Sequence, residues 1–431
     1  MTEQAGGIPG DPVVLDIVGV GFGPSNLSLA IAVEEHNSAC PPGERIGALF
    51  FESQDRFSWH PGMMLDGATM QVAFPKDLVT LRNPTSRYTF LNYLFVRGRL
   101  VDFVNHQTFF PSRYEFQDYL RWAAEQVDAD VRYESSVQRV RPLFDDRGVA
   151  DQFLVETADG TQVRTRNVVL GTGLAPRIPD WVTPSARCFH NKDFLTRMAE
   201  LPEPVHGRFV VLGAGQSAAE VVQYLHATYR DAEIHSVFAR FGYSPADDSP
   251  YANRIFDPGT VDELHRAPPQ ERDRLLRLHR GTNYSAVDSE LIDALYATEY
   301  QERVRGERRL FMRRASTIAD TVETDRGLEV SIRNLLDGSV ETLTCDAVVL
   351  ATGYTPAPLR PLFGDFLPST ESSREVSRDY RLRTDPCQRA GIYLQGGTET
   401  THGITSSLLS NVAVRAGEVL HSVLAHRATP T

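Results

Sequence analysis

The apolar positions of the chain form short, nearly continuous runs that lead into glycine-rich turns. The first run covers residues 13–20 and is interrupted only by Asp16, which is the pattern of a strand buried on both faces of a parallel sheet. The segment LSLAIAVEE then predicts a helix, and ALFFE predicts a second strand that ends at Glu52. A strand, a helix and a second strand in this order predict a βαβ unit.

The same arrangement occurs a second time farther along the chain. A buried strand pattern in RFVVLG leads into a helix pattern in QSAAEVVQYL, and EIHSVFAR predicts the next strand. An alternating stretch follows in each half, over residues 130–168 and from about residue 310 to 344, and predicts an antiparallel meander. A strand then leads into a Thr-Gly pair, in NVVLGTG and in DAVVLATGY. This large repeat predicts an α/β fold with two Rossmann-like dinucleotide-binding domains.

Glycines follow the first strand in the order that dinucleotide binding requires. Gly19 allows a tight turn and Gly21 lets the backbone approach a pyrophosphate, while Gly23 and Pro24 open the next helix. The N–H groups at the start of that helix can then bind phosphate oxygens. Glu52 is placed to accept hydrogen bonds from a ribose diol. These residues predict an FAD site.

The second glycine turn predicts a separate site for a nicotinamide cofactor. Gly213 and Gly215 occupy the equivalent fingerprint positions, and Gln216 and Ser217 open the following helix. The strand after that helix leads to Arg240 instead of a carboxylate. A cation there favours the 2′-phosphate of NADPH. We therefore predict that NADPH binds here.

The ATGY segment supports the assignment of the second site. Its Thr352 and Gly353 follow a buried strand, and we assign both to NADPH binding. Two fingerprints in one chain indicate electron transfer from a nicotinamide to a flavin. Between them, the aromatic and Pro-rich residues 53–118 predict a cover over a ligand. After the second βαβ unit, residues 245–305 predict a helical insert. The predicted division is a disordered tail at 1–12, an FAD-binding domain at 13–180 and 345–431, an NADPH-binding domain at 181–247 and 300–344, and a small helical substrate-binding domain at 248–299.

Composition and charge narrow the function further. The 431 residues carry a formal net charge of −12, which disfavours nucleic acid and anionic membranes as partners. No apolar run has the roughly eighteen residues of a membrane span, and the N-terminus has no secretory signal pattern. The four cysteines are too widely separated for a CxxC redox pair or a zinc cluster: Cys40, Cys188, Cys345 and Cys387. We therefore expect a cytoplasmic flavoprotein without a metal site, whose electrons pass to dioxygen.

Several longer segments are more specific than a dinucleotide fingerprint. They include FSWHPGMML, MQVAFPKDLVTLRNPTSRYTFLNYL, DDSPYANRIFDP, HRGTNYSAVD and LQGGTETTHGITSSLLSNVAVRAGE. With them, the chain resembles the microbial N-hydroxylating flavin monooxygenases, specifically the L-ornithine N5-monooxygenases of siderophore and related peptide biosynthesis. The resemblance implies FAD and NADPH as cofactors, L-ornithine and dioxygen as substrates, and N5-hydroxyornithine formed through a flavin C4a-hydroperoxide. It also implies a homo-oligomer, either a tetramer or a dimer.

The resemblance assigns substrate contacts to individual residues. Lys76 matches a lysine that binds the ornithine carboxylate, and Asn253 matches an asparagine that holds the α-amino and carboxylate end. Asn283 matches an asparagine beside the side-chain amine, and Ser406 or its neighbour Thr405 matches a hydroxyl near the reacting nitrogen. Judged from the residues alone, Lys76 reads as a surface lysine and both asparagines read as turn or cap residues.

Other residues are matched to the flavin. Gln71 matches a glutamine beside the flavin ring, and Trp59 and His60 fall in the segment that lines it. Ile404 falls where a backbone group meets the flavin. The catalytic set that the resemblance implies consists of Gln71, Asn283 and Ser406.

Several alternatives remain open from the sequence. L-lysine is one methylene longer than ornithine, a difference that a pocket discriminates by only about 1–3 kcal/mol. A diamine hydroxylase is disfavoured, because a diamine has no carboxylate for Lys76 to bind. An NADPH oxidase that releases only hydrogen peroxide and a non-catalytic flavin-binding sensor belong to other functional classes. Arg240 also has an alternative as a solvated loop cation. Separately, an ungapped alignment places Ala239, and not Arg240, at the family's arginine position.

Overall fold

The computed structural model describes residues 13–201, 207–325, 327–367, 375–384 and 388–427, so the predicted tail at 1–12 lies outside the described residues. The first part of the chain contains the predicted βαβ unit, followed by helices of the aromatic segment and a run of strands. Its elements are β1 (Val14–Val20), α1 (Pro24–Ala39), β2 (Ala48–Phe51), α2 (Phe90–Val96), α3 (Leu100–His106), α4 (Arg113–Gln126), β3 (Asp130–Arg132), β4 (Val137–Phe144), β5 (Ala150–Thr157), β6 (Gln162–Leu170) and β7 (Leu174–Pro176).

The second part of the chain contains the second βαβ unit, the helical insert and the return to the first sheet. Its elements up to residue 350 are β8 (Cys188–His190), α5 (Phe194–Glu200), β9 (Arg208–Leu212), α6 (Gln216–Thr228), β10 (Glu233–Val237), α7 (Pro258–Arg266), α8 (Pro269–Leu278), α9 (Ser289–Arg305), β11 (Leu310–Arg313), β12 (Ser316–Thr324), β13 (Gly327–Asn334), β14 (Val340–Cys345) and β15 (Ala347–Leu350). The remaining ones are β16 (Tyr354–Pro356), α10 (Arg360–Phe363), β17 (Gly391–Leu394), α11 (Glu399–His402) and α12 (Val412–Arg427).

The first sheet has the order β3-β2-β1-β6-β5-β4, and β17 also pairs with β6. Strands β1, β2, β3, β6 and β17 pair in parallel, whereas β4, β5 and β6 form the antiparallel meander. The meander predicted over 130–168 therefore begins too early. Strand β3 returns to β2 after the helix α4, and such a helical crossover gives a parallel pair.

The second sheet is parallel throughout and has the order β11-β10-β9-β15-β8. Two predictions need correction here. The meander predicted from about residue 310 is β12-β13-β14, while β11 pairs with β10. The predicted domain boundary at 345 is also wrong, because β15 pairs with β9 and β8 and so belongs to the second sheet. The chain leaves that sheet only after residue 350, through a two-stranded ribbon of β16 and β7.

The aromatic segment packs on the first sheet instead of standing apart from it. Phe90, Tyr93, Phe116 and Tyr119 are almost fully buried in the same apolar cluster as residues of α1 and α12. The helices that carry them begin at capped positions, since the side chains of Thr89 and Ser112 accept N–H groups of the first turns of α2 and α4. None of the described helices combines the length and apolar character that crossing a bilayer requires.

Candidate active site

The first glycine turn packs tightly against neighbouring segments at Gly19 and Gly21 but leaves free space at Gly23, where α1 starts. Gly21 has a φ of 81°, and a Cβ there would lie 2.7 Å from the carbonyl oxygen of Gly171. A Cβ on Gly19 would lie 2.3 Å from the Phe50 ring. A Cβ on Gly23 would meet nothing within 4 Å, and no side chain caps α1 there. The start of α1, which Pro24 begins, is therefore open beside Gly23 and uncapped, which leaves room for a diphosphate group at the helix N-terminus.

A buried carboxylate stands beside this turn, at the end of β2. Glu52 accepts the backbone N–H of Phe22 at 2.7 Å and that of Gln54 at 2.9 Å. The fully buried Asn26 holds the turn from the other side, where its amide donates to the Gly21 carbonyl at 2.7 Å. The carboxylate oxygens of Glu52 keep further lone pairs that can accept ribose hydroxyls. The first site therefore fits the adenosine diphosphate part of FAD.

The second glycine turn has the same construction. Gly213 has a φ of 151°, and a Cβ there would lie 2.3 Å from the carbonyl oxygen of Ala351. Gly215 precedes α6, and no side chain caps that helix either. The half-buried Gln216 and Ser217 form its first positions. The start of α6 is thus a second place where a diphosphate can bind helix N–H groups, as NADPH requires.

Arg240 lies exposed just beyond the end of β10. Its guanidinium donates to the Ser244 hydroxyl at 3.2 Å and to the Ser285 carbonyl at 3.1 Å. Ser285 also faces the second glycine turn, because a Cβ on Gly215 would lie 3.5 Å from its Cα atom. These contacts keep an arginine close to the second turn, where a 2′-phosphate of NADPH can be bound.

Thr352 and Gly353 lie where the chain passes back to the first sheet. The Thr352 hydroxyl donates to the Arg177 carbonyl, and the Gly353 carbonyl accepts the Arg177 N–H at 2.9 Å. Nε2 of His190 is also 3.0 Å from the Gly353 carbonyl. Both residues are thus engaged with the neighbouring connection, and their role in NADPH binding stays a prediction.

Gln71 is connected to the second site through a carboxylate. The Gln71 amide donates to Oδ2 of Asp288 at 2.8 Å, and the Gln216 amide donates to the same oxygen at 2.9 Å. Gln216 donates in addition to Glu220, at 3.1 Å. Burial, followed by the nearby Glu220 carboxylate, raises the pKa of Asp288. The residue matched to the flavin and the residue matched to NADPH therefore share one acceptor.

Lys76 approaches the helical insert from the first domain. Its ammonium nitrogen lies 5.7 Å from the centroid of the Phe256 ring, which ends the 3-10 turn Ala252–Phe256. Burial lowers the pKa of Lys76, while Asp257 acts in the opposite direction. Within the described ranges, no carboxylate forms an ion pair with Lys76. Asn253 lies in the same 3-10 turn, where its amide donates to the Asp248 carbonyl at 2.7 Å.

Asn283 follows the 3-10 turn His279–Thr282, which contacts the turn of Asn253. The next residue, Tyr284, is partly buried, and burial followed by the Glu399 carboxylate raises its pKa. Glu399 opens α11, directly before the turn Ile404–Ser407. Asn283 is therefore placed on the same side of the insert as the segment that carries Ser406.

The 3-10 turn Ile404–Ser407, here called the C-terminal turn, contains three of the predicted residues. Ile404, Thr405 and Ser406 are no more than 2% exposed, and the turn contacts the turn of Asn253. The Ser406 hydroxyl is buried without a hydrogen-bond partner in the described part of the protein. A buried polar atom without a protein partner is a candidate contact for a ligand, an ion or a water molecule. This hydroxyl fits a role toward the flavin or the substrate amine.

Trp59 and His60 lie at the edge of the aromatic segment. The backbone N–H of Trp59 donates to the Gln117 side chain at 3.1 Å. The indole ring of Trp59 packs edge-on against the His60 ring, with the ring centroids 4.9 Å apart. His60 is exposed and has a left-handed backbone with a φ of 50°. The contact of Trp59 and His60 with the flavin ring stays a prediction.

Two residues near the site were missed by the sequence reasoning. Asp288 and Arg415 lie within segments that carry the family resemblance but received no role. A simple signal was present for Lys76: of the 44 Lys and Arg residues, only Lys76 and Lys192 are lysine. Lysine is therefore rare in this chain, which singles out Lys76 and Lys192 as candidates for a specific role. No group of His, Cys, Asp or Glu in the described residues is arranged to hold a metal ion.

Known proteins of one enzyme family are similar to this chain over most of its length. The family model for L-lysine 6-monooxygenase/L-ornithine 5-monooxygenase matches residues 13–356. The L-ornithine N(5)-monooxygenase of Pseudomonas aeruginosa is 39% identical over 424 residues, which cover 96% of this chain and 94% of that protein.

Solved structures of the same family are similar over nearly the whole length. The ornithine N-hydroxylase of Kutzneria sp. 744, described with reduced FAD, NADP+ and L-ornithine, has a TM-score of 0.91 and 41% identity, with 96% of this chain and 100% of that chain covered. The L-lysine 6-monooxygenase of Pseudomonas syringae has a TM-score of 0.84 and 33% identity, with 96% and 99% covered. The chain belongs to the L-lysine 6-monooxygenase/L-ornithine 5-monooxygenase family.

Proposed function

We propose that this protein hydroxylates the side-chain amine of L-ornithine to N5-hydroxyornithine, with FAD and NADPH as cofactors and dioxygen as the oxygen source. The observation that carries the choice of substrate is Lys76. It is a lysine without an ion-pair partner among the described residues, and it faces the turn that holds Asn253. A free amino acid brings a carboxylate that such a cation can bind, whereas a diamine does not.

One set of residues is proposed to bind the cofactors, and another set is proposed to hold the substrate amine. Bound FAD and NADPH supply the reducing equivalents and the activation of dioxygen. Gly19, Gly21, Gly23 and Glu52 would hold FAD, and the turn at Gly213 would hold NADPH. Gln71, Trp59, His60 and Ile404 are proposed to contact the flavin ring, and Ser217, Thr352 and Gly353 to contact NADPH.

The substrate amine must lose its proton before it can act as a nucleophile, because a lysine-type amine has a pKa of about 10.4. Neutral amides and hydroxyls stabilise the charged amine less than carboxylates do. We assign this part of the pocket to Asn283, Ser406 and Thr405. Lys76 and Asn253 then fix the opposite end of ornithine, so that chain length decides which atom reaches the flavin.

One assay tests the proposal. The purified protein is supplied with FAD, NADPH and dioxygen, and with L-ornithine, L-lysine, putrescine or no amine. Product is measured by mass, and hydrogen peroxide is measured in parallel. We expect one added oxygen on ornithine and a smaller yield on lysine. NADPH oxidation with hydrogen peroxide as the sole product would instead identify an NADPH oxidase, and preferred oxidation of lysine would identify the N6-monooxygenase.

We also propose that the protein forms a homo-oligomer, a tetramer or a dimer, in the cytoplasm. Support for a second copy comes from apolar side chains that α2, α3 and the following loop expose together: Phe95 (69%), Val96 (58%), Val101 (71%), Val104 (61%) and Phe109 (62%). Helices α2 and α3 are in contact, and exposed apolar side chains on neighbouring helices are candidates for an interface. Sedimentation of Val101→Asp should show smaller particles, whereas Leu336→Asp, at another exposed apolar position, should not.

The remaining domain division is part of this proposal. The FAD-binding domain would comprise 13–180 and the chain after residue 350. The small helical substrate-binding domain would remain at 248–299. The location in the cytoplasm is supported by the described cysteines Cys40, Cys188 and Cys345, which are all unpaired thiols.

A further inference from the structure

Arg415 is a buried cation without a matching anion. It lies in the first turn of α12 and is only 2% exposed. In the described part of the chain, no carboxylate forms an ion pair with it; its hydrogen-bond acceptors are neutral oxygens. Burying a charge is costly unless an opposite charge compensates it. Arg415 therefore points to an anion that the protein itself does not supply.

Two of the acceptors lie in the C-terminal turn. Nη1 of Arg415 donates to the Ser406 carbonyl at 2.7 Å and to the Thr405 carbonyl at 3.4 Å. These are the residues whose side chains are assigned to the substrate amine. Because the guanidinium binds their backbone, it fixes where the Ser406 hydroxyl points.

The opposite edge of the guanidinium faces the start of α1. Nη2 donates to the Ser25 hydroxyl at 3.2 Å, and Ser25 directly follows Pro24. Nε lies 3.4 Å from the side-chain oxygen of Gln395, whose own amide donates to the Ser25 carbonyl at 3.0 Å. Arg415 thus lies at the helix end where the FAD diphosphate is proposed to bind, and where the helix dipole also favours an anion.

A second buried polar group near Arg415 in the chain also lacks a protein partner. Asn411, one helical turn before Arg415, is 3% exposed, and neither its amide nitrogen nor its amide oxygen has a hydrogen-bond partner among the described residues. A buried guanidinium without an ion-pair partner at the start of α12 and a buried, unpaired amide directly before that helix therefore lie close together in the chain.

We propose that Arg415 is a positioning residue that joins the C-terminal turn to the FAD site, and that the FAD diphosphate balances its buried charge. The proposal rests on the proposed binding of FAD at α1. Its consequence is that FAD binding and the order of the C-terminal turn are coupled. Without FAD the guanidinium has no anion, and the turn that carries Thr405 and Ser406 is held less firmly.

The test uses the full chain stripped of FAD. FAD is titrated by the quenching of its fluorescence against wild type, Arg415→Met and Arg415→Lys, and hydrogen exchange of residues 396–411 is followed with and without FAD. We expect Arg415→Met to weaken FAD binding by about tenfold or more, which is the loss expected for a charge-assisted contact. FAD should slow exchange in 396–411 in the wild type but not in this variant.

Arg415→Lys separates charge from geometry. It keeps the cation but loses the fork that binds two carbonyls and Ser25 together. We expect FAD affinity within about threefold of wild type, fast exchange in 396–411 even with FAD, and a raised KM for ornithine. If Arg415→Met does not fold, Arg415→Lys alone tests whether FAD binding and the order of the C-terminal turn are coupled. Slow exchange in the FAD-bound lysine variant would overturn the coupling of the turn.

Arg82→Met is the matched control. Arg82 lies between α1 and α12, is partly buried, and has its own partner in Glu35 at 2.6 Å. Its loss should lower the melting temperature without changing FAD affinity. If Arg415→Met behaves in the same way and binds FAD like the wild type, Arg415 is merely structural and the proposal is wrong. If the wild type itself does not bind FAD, the proposed function fails, which is a distinct result.

Discussion

The Gln71 amide and the Asp288 carboxylate are hydrogen-bonded at 2.8 Å, although 217 positions separate them in the sequence. Asp288 precedes α9 at its N-cap, where an aspartate usually accepts an N–H group of the helix. Its side chain makes no such cap and instead accepts the amides of Gln71 and Gln216. The Asp288 backbone N–H donates to the Gln216 side chain at 2.9 Å, so this contact runs in both directions.

Asp288→Asn should therefore weaken the hydrogen bonds from Gln71 and Gln216 that link the two proposed cofactor sites. A neutral oxygen accepts more weakly than a carboxylate, and each hydrogen bond contributes about 0.5–1.5 kcal/mol, so kcat/KM for NADPH should fall by about twofold to tenfold. We also expect more hydrogen peroxide per NADPH consumed, because Gln71 is less well placed. Glu290→Gln removes the same charge from an exposed position in the first turn of α9 and serves as the control. Equal behaviour of the two variants would show that only the local charge matters.

Lys76→Met should raise the KM for ornithine much more than it lowers kcat. A hydrogen bond to a charged group contributes about 1.5–3 kcal/mol, which corresponds to an increase in KM of about tenfold to hundredfold. Putrescine, which has no carboxylate, should not be affected. Steady-state kinetics of both amines measure the difference. Lys192→Met, which changes the only other lysine of the chain, should leave the KM for ornithine unchanged. An unchanged KM in Lys76→Met would remove the carboxylate role.

Arg240→Ala should reduce the preference for NADPH over NADH. The guanidinium is exposed, forms no ion pair among the described residues and is held next to Ser285. Loss of its contact with a 2′-phosphate should lower kcat/KM for NADPH by about tenfold or more and leave NADH nearly unchanged. Flavin reduction is followed in the absence of oxygen with each nucleotide. A parallel loss with NADH would assign Arg240 to the fold, whereas unchanged kinetics with both nucleotides would identify it as a solvated loop cation.

The sequence predicted those parts of the structure that depend on local patterns. The strand, glycine turn and helix at residues 13–39 are contiguous, so hydrophobic periodicity and the conformational needs of glycine are sufficient to recognise them. The membership of β15 in the second sheet was missed because a short apolar strand does not show which neighbour it pairs with. Strand pairing is decided by tertiary packing, and the hydrophobic periodicity of a single strand carries no information about it.

The missed site residues have the same physical origin. Arg415 and Ser25 are 390 positions apart, and an arginine within AVRAGE gives no sign that it is buried without an anion. The role of Asp288 likewise depends on two glutamines from distant segments. Lys76 is different, because its rarity is visible in the sequence itself. The chemistry of the site was therefore recognisable from motifs, while the contacts that connect its parts required the structure.

Acid should destabilise the protein through His402, which joins the C-terminal turn to the helical insert. The side chain is fully buried, stacks on Tyr380 at 4.3 Å and packs edge-on against His265 at 5.1 Å. Burial lowers the pKa of His402 to about 3; the hydrogen bond to the Arg378 carbonyl opposes this shift, while the positive charges of His265 and Arg378 act in the same direction as burial. In the unfolded chain the pKa is about 6.5. Between these values the unfolded state binds more protons, so stability is lost as the pH falls below about 6.5.

The free energy of unfolding should fall by about 2 kcal/mol between pH 7 and pH 5, since each pH unit below 6.5 contributes about 1.4 kcal/mol. Chemical denaturation at both pH values measures this difference. His402→Phe keeps a ring against Tyr380 but cannot titrate, so its unfolding free energy should depend less on pH by that amount, even if it is lower at both values. His106→Phe, at an exposed position at the end of α3, should keep the wild-type dependence. If the dependence is unchanged in His402→Phe, the acid sensitivity arises from other buried groups, such as His235, whose pKa burial lowers to about 4.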